Sequence, residues 1–363
     1  MLPALSDTKP SLADVLTSCL AAIRGEENRL GLPPVRTAIV LLVDGLGAAA
    51  LKERAGHART LLATAATLQS GFPTTTASAL ATLTTGTTPG QHGMVGYSVL
   101  DAANDRIINQ LSGWDGIDPL AWQPQPTIFE QAVDAGYAAT VIAPGRYSDS
   151  LFTRAVLRGA AFVAAETIAE RLAAAAQVEG LVYVYVPELD KAGHAYGAAS
   201  PQWTVALEAV DNAVAALRLP ADTGMLVTAD HGVIDIPPHN HILYDGVPEL
   251  MAGVAHVGGE PRCLQLYLEP GADLVALAAA WQSSEGSRSW VATKAEAIAA
   301  GWFGDVRPEV ESRIGDLIVA ARKAVAYYSV TASERSRAMV GQHGSWSADE
   351  VTVPLVRFGA FAR

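Results

Sequence analysis

"TAIVLLVDG", residues 37–45, is a short apolar run that stops at an aspartate and a glycine. It has no polar alternation and is too short for a core helix, so it reads as a strand buried on both faces, as in a parallel sheet. Three further runs have the same form: "ATVIAPG" (139–145), "LVYVYVPELD" (181–190) and "MLVTADHG" (225–232). Between them, "TIFEQAVDAGY" (127–137) and "PQWTVALEAVDNAVAAL" (201–217) read as helices. The alternation predicts an α/β fold, a mostly parallel central sheet between helical layers. Three of the strand runs end in acidic residues, Asp44, Asp190 and Asp230. Ligands of open α/β sheets bind outside the carboxyl ends of the strands, so these side chains can converge although they are far apart in sequence.

The chain has 363 residues, of which 50% are hydrophobic and 17% charged, and a formal net charge of -12. That balance describes a globular protein and argues against a binder of nucleic-acid polymers or anionic membranes. It leaves room for a small anionic substrate, because bound cations invert a local field. Cys19 and Cys263 are too few for a disulfide framework or a thiolate metal site. No apolar run has the length of a membrane span, and no basic segment precedes an apolar core as in a secretory signal. Leu12, Val15, Leu16, Cys19, Leu20 and Ile23 instead recur at helical spacing, with Ser11 as the expected N-cap. The expected compartment is cytoplasmic.

After "DIPPHNH" (235–241) the texture changes. "CLQLYLEPG" (263–271) alternates like a half-exposed strand, "TKAEAIAAGWFG" (293–304) opens with a Thr-x-x-Glu capping box, and "DLIVAA" (316–321) predicts another strand. "PLVRFGAF" (354–361) reads as a last core strand. The chain therefore divides into an N-terminal helical extension (1–36), an α/β core (37–236 and 336–363) and a small α+β insertion or cap (237–335).

Histidines accompany the acidic strand ends. Asp190 and His194 lie one helical turn apart in "DKAGH", Asp230 and His231 are adjacent in "DHG", and His343 sits between glycines in "GQHG". Three Asp and three His suit two divalent cations bound through nitrogen and oxygen, zinc first, with manganese or iron accepting similar donors. "SGFPTTTASALATLTTG" (70–86) carries eight hydroxyl side chains where a helix begins, as a capped turn or as the site of a nucleophile.

The ordered set "VDG", "FPTTTASALATLTTGTTPGQHG", "PELDKAGHAYG", "TADHG" and "GQHG" resembles the type I phosphodiesterase/nucleotide pyrophosphatase family of the alkaline phosphatase superfamily. The resemblance implies an alkaline phosphatase-like fold. It implies one metal held by Asp190, His194 and His343, a second held by Asp44, Asp230 and His231, and a nucleophile at Thr76 that also meets the metals. The activity implied is hydrolysis of a small phosphodiester or nucleotide-like substrate through a covalent phospho-threonine. A phosphomonoesterase or a phosphonate hydrolase would use the same site, and a catalytically inactive, metal-stabilised binding protein would keep its ligands.

The chain departs from the family where relatives carry an asparagine shortly after the "HG" of this segment. The equivalent position is Tyr97, which either donates a hydrogen bond to a phosphoryl oxygen or packs. Asn109, Lys191, Trp114 and Arg262 are further candidates for substrate contact.

Overall fold

The structure is a computed structural model that describes residues 2–6, 8–62 and 66–362. Seven strands form its main sheet: β1 (Thr37–Val43), β2 (Ala66–Gln69), β3 (Ala139–Ala143), β4 (Ala161–Ala164), β5 (Gly180–Val186), β6 (Thr223–Thr228) and β7 (Thr352–Gly359). Their spatial order is β2-β7-β6-β1-β5-β3-β4. β1 pairs in parallel with β5 and β6, and β3 in parallel with β5 and β4, as the unalternating apolar runs require. The last strand differs: β7 runs antiparallel to both β6 and β2.

All seven residues of β1 are buried, so the sheet is covered on both faces. Helices α1 (Ala13–Arg24), α2 (Thr76–Thr85), α3 (Ile128–Asp134) and α4 (Leu151–Val156) contact one another as one group. A second group contains α5 (Ile168–Ala175), α6 (Glu188–Tyr196) and α7 (Pro201–Ala216). The N-terminal helix belongs to the main core through Val15, Leu16 and Cys19. Its cap position is Leu12 rather than Ser11, whose backbone N–H and hydroxyl both donate to Asp14. α3 starts with the Thr127/Glu130 capping box.

A second sheet, entirely antiparallel, places residues 254–260, 263–268, 317–321 and 289–293 side by side in that order. The Thr293/Glu296 capping box opens the helix that follows its edge strand. The strand Cys263–Leu268 is almost wholly buried instead of half exposed. Its alternate side chains serve two apolar clusters: Cys263 packs with Phe72, Trp302 and Trp346, and Leu264 and Leu266 pack with Trp281 of the helix Leu274–Glu285. The alternation in this stretch therefore separates two cores rather than core from solvent. Phe72 stacks on Trp346 at 4.7 Å and meets Trp302 edge-on at 4.8 Å, tying the second sheet to the segment that leads into α2.

The same junction holds a buried histidine. The N–H of Met94 donates to His92 Nδ1 at 3.1 Å, so Nε2 carries the proton and donates to Thr82 Oγ1 at 3.0 Å. Burial, with the nearby Arg313 guanidinium, lowers the imidazole pKa to about 3. The unfolded chain takes up this proton near pH 6.5 and the folded chain only near pH 3, so the contribution is complete above pH 6.5 and drains away as pH falls between these values. Between pH 6.5 and 4.5 this amounts to about 2–3 kcal/mol. Urea unfolding at pH 7 and 4.5 should show His92→Gln losing less stability on acidification than the parent, by about that amount; equal losses would contradict the assignment.

Candidate active site

The parallel register sets the ends of β5, β1 and β6 side by side, with Val43 opposite Val186 and Leu42 opposite Thr228. The Asp44 N–H continues the ladder to the Val186 carbonyl at 3.0 Å. Asp44 and Asp230 thus leave adjacent strand ends. Asp190 comes from the first turn of α6, one element later than its sequence stretch implied. Gly45 allows the approach: its φ is +74°, and a Cβ there would lie 3.0 Å from Asp190 Cα and Cβ.

Each carboxylate has one oxygen held or faced by a protein group and one left over. Tyr185 donates its hydroxyl to Asp44 Oδ2, and Asp230 Oδ1 accepts the N–H groups of Gly45 and His231, both at 3.1 Å. Asp190 Oδ2 lies 3.3 Å from His194 Nε2. Asp44 Oδ1, Asp190 Oδ1 and Asp230 Oδ2 are buried without a hydrogen-bond partner.

The three histidines are oriented alike. Backbone carbonyls of Gly341, Gly232 and Thr74 lie 2.8, 3.2 and 2.8 Å from Nδ1 of His194, His231 and His343. A carbonyl only accepts, so Nδ1 holds the proton and each Nε2 lone pair faces the carboxylates. His231 Nε2 lies 3.5 Å from Asp44 Oδ1 and 3.4 Å from Asp230 Oδ2, and His343 Nε2 lies 3.3 Å from His194 Nε2. Residues 341–342 pair antiparallel with 234–235, which brings His343 beside the segment of Asp230.

The donor atoms of Asp44, Asp230 and His231 all lie within 4.8 Å of one another, and so do those of Asp190, His231 and His343. The six residues expected from the sequence form one continuous cluster, with His231 shared by distance between its halves. Burial, Asp230 and Asp190 push the Asp44 carboxyl well above its ordinary range, and burial raises that of Asp190. His343 is pushed well below its range by burial and by the other two histidines. Three orphaned carboxylate oxygens and converging imidazole donors fit divalent cations, whose charge would reverse the carboxyl shifts and reinforce that of His343.

Most hydroxyls of residues 70–86 are structural. Ser70 donates to the Asp230 carbonyl and Thr74 to the Ser345 carbonyl, Thr82 accepts from His92, and Thr84 and Thr85 bond back to carbonyls four residues earlier. Thr76 differs. It is the first residue of α2, and its Oγ1 lies 3.3 Å from His231 Nε2. The cap residue, Thr75, makes no side-chain hydrogen bond to the helix, leaving first-turn N–H groups available to an anion.

A cleft of about 360 Å³ opens from this cluster, walled by Leu80, Leu111, Tyr147, Phe152 and Leu157. Tyr97 and Lys191 line it too; Tyr97 is 38% exposed, which places it at the surface rather than in the core. The other three candidate substrate contacts are corrected. Trp114 is buried and donates its indole N–H to the Gln110 carbonyl. Asn109 Oδ1 accepts the N–H groups of Leu111 and Ser112, fixing a turn. Arg262 is fully buried in a two-pronged pair with Glu350, at 2.8 and 2.7 Å, and donates to three backbone carbonyls besides. Tyr185 went unrecognised in the sequence, although the alternation of "YVYV" places both its tyrosines on the face of Asp44.

Residues 38–346 match the type I phosphodiesterase / nucleotide pyrophosphatase family. No curated protein matches the chain in sequence. Among solved structures, murine ectonucleotide pyrophosphatase / phosphodiesterase 5, as an inactive variant in complex with AMP, is similar at 16% identity and TM-score 0.68, covering 88% of this chain and 87% of its own. The human protein of that name gives 17% and 0.69, covering 89% and 88%. Phosphonoacetate hydrolase from Sinorhizobium meliloti in complex with phosphonoacetate gives 19% and 0.69, covering 90% and 91%. These likenesses establish an alkaline phosphatase-like fold. Among the described residues no helix is long and apolar enough to cross a membrane.

Purified protein should bind two divalent cations per chain by elemental analysis. Chelation should lower its melting temperature, since a cation at a hundredfold its dissociation constant adds about 2.7 kcal/mol. Asp230→Asn should lose one of the two cations and part of that response to added zinc or manganese. An unchanged melting curve on chelation, with no metal found, would exclude a metal centre.

Proposed function

Because the chain belongs to the type I phosphodiesterase / nucleotide pyrophosphatase family, we propose that it is a two-metal phosphoester hydrolase acting on a phosphodiester or pyrophosphate through a covalent phospho-threonine at Thr76. The observation that carries this reading is the placement of the Thr76 hydroxyl, at the head of α2 and 3.3 Å from His231 Nε2, beside three carboxylates with unpartnered oxygens. Asp44, Asp230 and His231 would hold one cation and Asp190, His194 and His343 the other, with zinc the leading identity. Bound there, divalent cations supply Lewis acidity that favours the threonine alkoxide and offsets phosphoryl charge.

The chain's own groups supply the rest. Thr76 Oγ attacks phosphorus as its hydroxyl proton is given up, the bond to the leaving oxygen breaks, and the leaving alcohol or phosphate departs with a proton. Water then attacks the phosphorus of the phospho-threonine, breaking its bond to Thr76 Oγ, releasing the phosphomonoester that remains and returning a proton to the threonine hydroxyl. The positive end of α2 and its first-turn N–H groups bind nonbridging oxygens. The Tyr185 hydroxyl holds Asp44 in place throughout.

A diester monoanion suits this cleft better than a monoester dianion. The segment from Thr76 to Tyr97 contains no arginine, and the walls of the cleft offer Leu80, Leu111, Phe152 and Leu157 to an organic substituent. The neighbour bound to AMP, a nucleotide, is compatible with an aromatic substituent of this kind. One observation favours the monoester or phosphonate reading instead. Lys191 lines the cleft and offers an amine to a more highly charged substrate, whose charge would oppose the lowering that burial and Arg146 impose on it.

Thr76→Ala should retain metal and fold but lose turnover by about two orders of magnitude or more, and Thr76→Ser should recover part of it. Undiminished turnover in Thr76→Ala would remove the nucleophile assignment. For matched aryl substrates, kcat/KM should be higher for the diester than for the monoester. A tenfold advantage for the monoester, about 1.4 kcal/mol in transition-state preference, would make this a phosphomonoesterase.

A further inference from the structure

Behind His343, on the side away from the carboxylate cluster, stands a side chain of the second sheet. Glu260 ends the strand Val254–Glu260, is buried, and brings Oε2 to 3.5 Å from His343 Nδ1. That Nδ1–H already donates to the Thr74 carbonyl at 2.8 Å, and the carboxylate flanks this bond at 3.5 Å from the same nitrogen. Gly344 makes room: its φ is +128°, and a Cβ there would lie 2.5 Å from Glu260 Cγ and Cδ. The nearest arginine gives Glu260 no ion pair, because Arg262 is committed to Glu350 through both carboxylate oxygens. Glu260 Oε1 is buried without a partner.

Burial and the neighbouring Glu350 carboxylate disfavour a charge on Glu260, which becomes tolerable only where positive charge reaches it. The compensation within reach is the positive charge that a metal-ligating imidazole conveys to the group behind it. We propose that Glu260 is a positioning residue for the metal centre: it backs His343 from the second sheet, so that a cation on His343 and the seating of that sheet stabilise each other. This rests on the reading of His343 as a metal ligand, and it does not depend on which ester is cleaved.

The test is a metal titration of chelator-stripped full-length protein, with zinc by calorimetry and cobalt by its visible absorption. Glu260→Gln keeps the shape and removes the charge. One of the two binding steps should weaken by about ten- to a hundredfold, the other should be unchanged, and the cobalt spectrum should shift. The melting temperature of the metal-free variant should equal or exceed that of the parent, since the amide fills the same buried place without an acidic group beside Glu350. Glu260→Asp, which keeps the charge but retreats from His343, should lie between the two. A merely structural role would instead lower the metal-free melting temperature and leave both affinities intact, and that result overturns the proposal. Turnover on a diester, measured in parallel on the parent, separates the two readings: two bound cations without turnover would defeat the proposed activity and leave the role of Glu260 standing.

Discussion

Like-charge repulsion among Asp44, Asp190 and Asp230 is the constraint to which the rest of the molecule answers. Three carboxylates share one largely buried cluster, each with an oxygen that no protein group satisfies. In a low-dielectric interior such a grouping persists only if hydrogen bonds hold its outer oxygens and cationic charge meets its inner ones. The outer half of that requirement is visible in the Tyr185 hydroxyl and in the paired N–H groups of Gly45 and His231. The inner half faces three imidazole nitrogens whose tautomers are set by backbone carbonyls. With Nδ1 engaged by a carbonyl, each imidazole has Nε2 left as a metal donor, so the arrangement has the chemistry of a cation site.

The position of His343 depends on a second buried charge system some distance from the cluster. Glu350, in the helical turn before β7, accepts the Ser345 N–H and the Ser347 hydroxyl, and grips Arg262 at the turn between two strands of the second sheet. These bonds fix the segment that follows His343 against the second sheet, while residues 341–342 before it pair with 234–235. Breaking a buried pair of this kind by removing one partner costs about 3–5 kcal/mol, and here the loss would be felt at a candidate metal ligand as well as in stability.

Much of the core was legible because its strands carry largely unbroken apolar runs and its candidate ligands sit at or just beyond their ends, where periodicity and topology both point. Asp44 and Asp230 stood out as acidic strand ends and the pair Asp190/His194 by helical spacing, while their division between two cations came from the family resemblance. Groups whose roles depend on partners distant in sequence did not. Arg262 reads as one exposed arginine among many until Glu350 closes on it, and Trp114 and Asn109 look available until Gln110 and the following turn claim them. Glu260 gave no local signal, because its partner lies in another sheet. The burial of Cys263–Leu268 was hidden for a related reason: a strand between two cores and a strand between core and water have the same alternation.

The position of β1 at the centre of the main sheet also bears on how the chain reaches this state. Thr37 pairs with Gly180 on one side and with Thr223 on the other, so the most apolar strand of the protein waits for partners synthesised far later. Pairing across such separations is slow, because loop closure precedes the contacts that reward it. During that interval "AIVLLV" is a segment of high β-propensity with no charge and no proline, the composition that favours association between chains. The strand that aligns Asp44 with its neighbours is therefore also the strand that makes nascent chains depend on dilution or chaperones until β5 and β6 arrive.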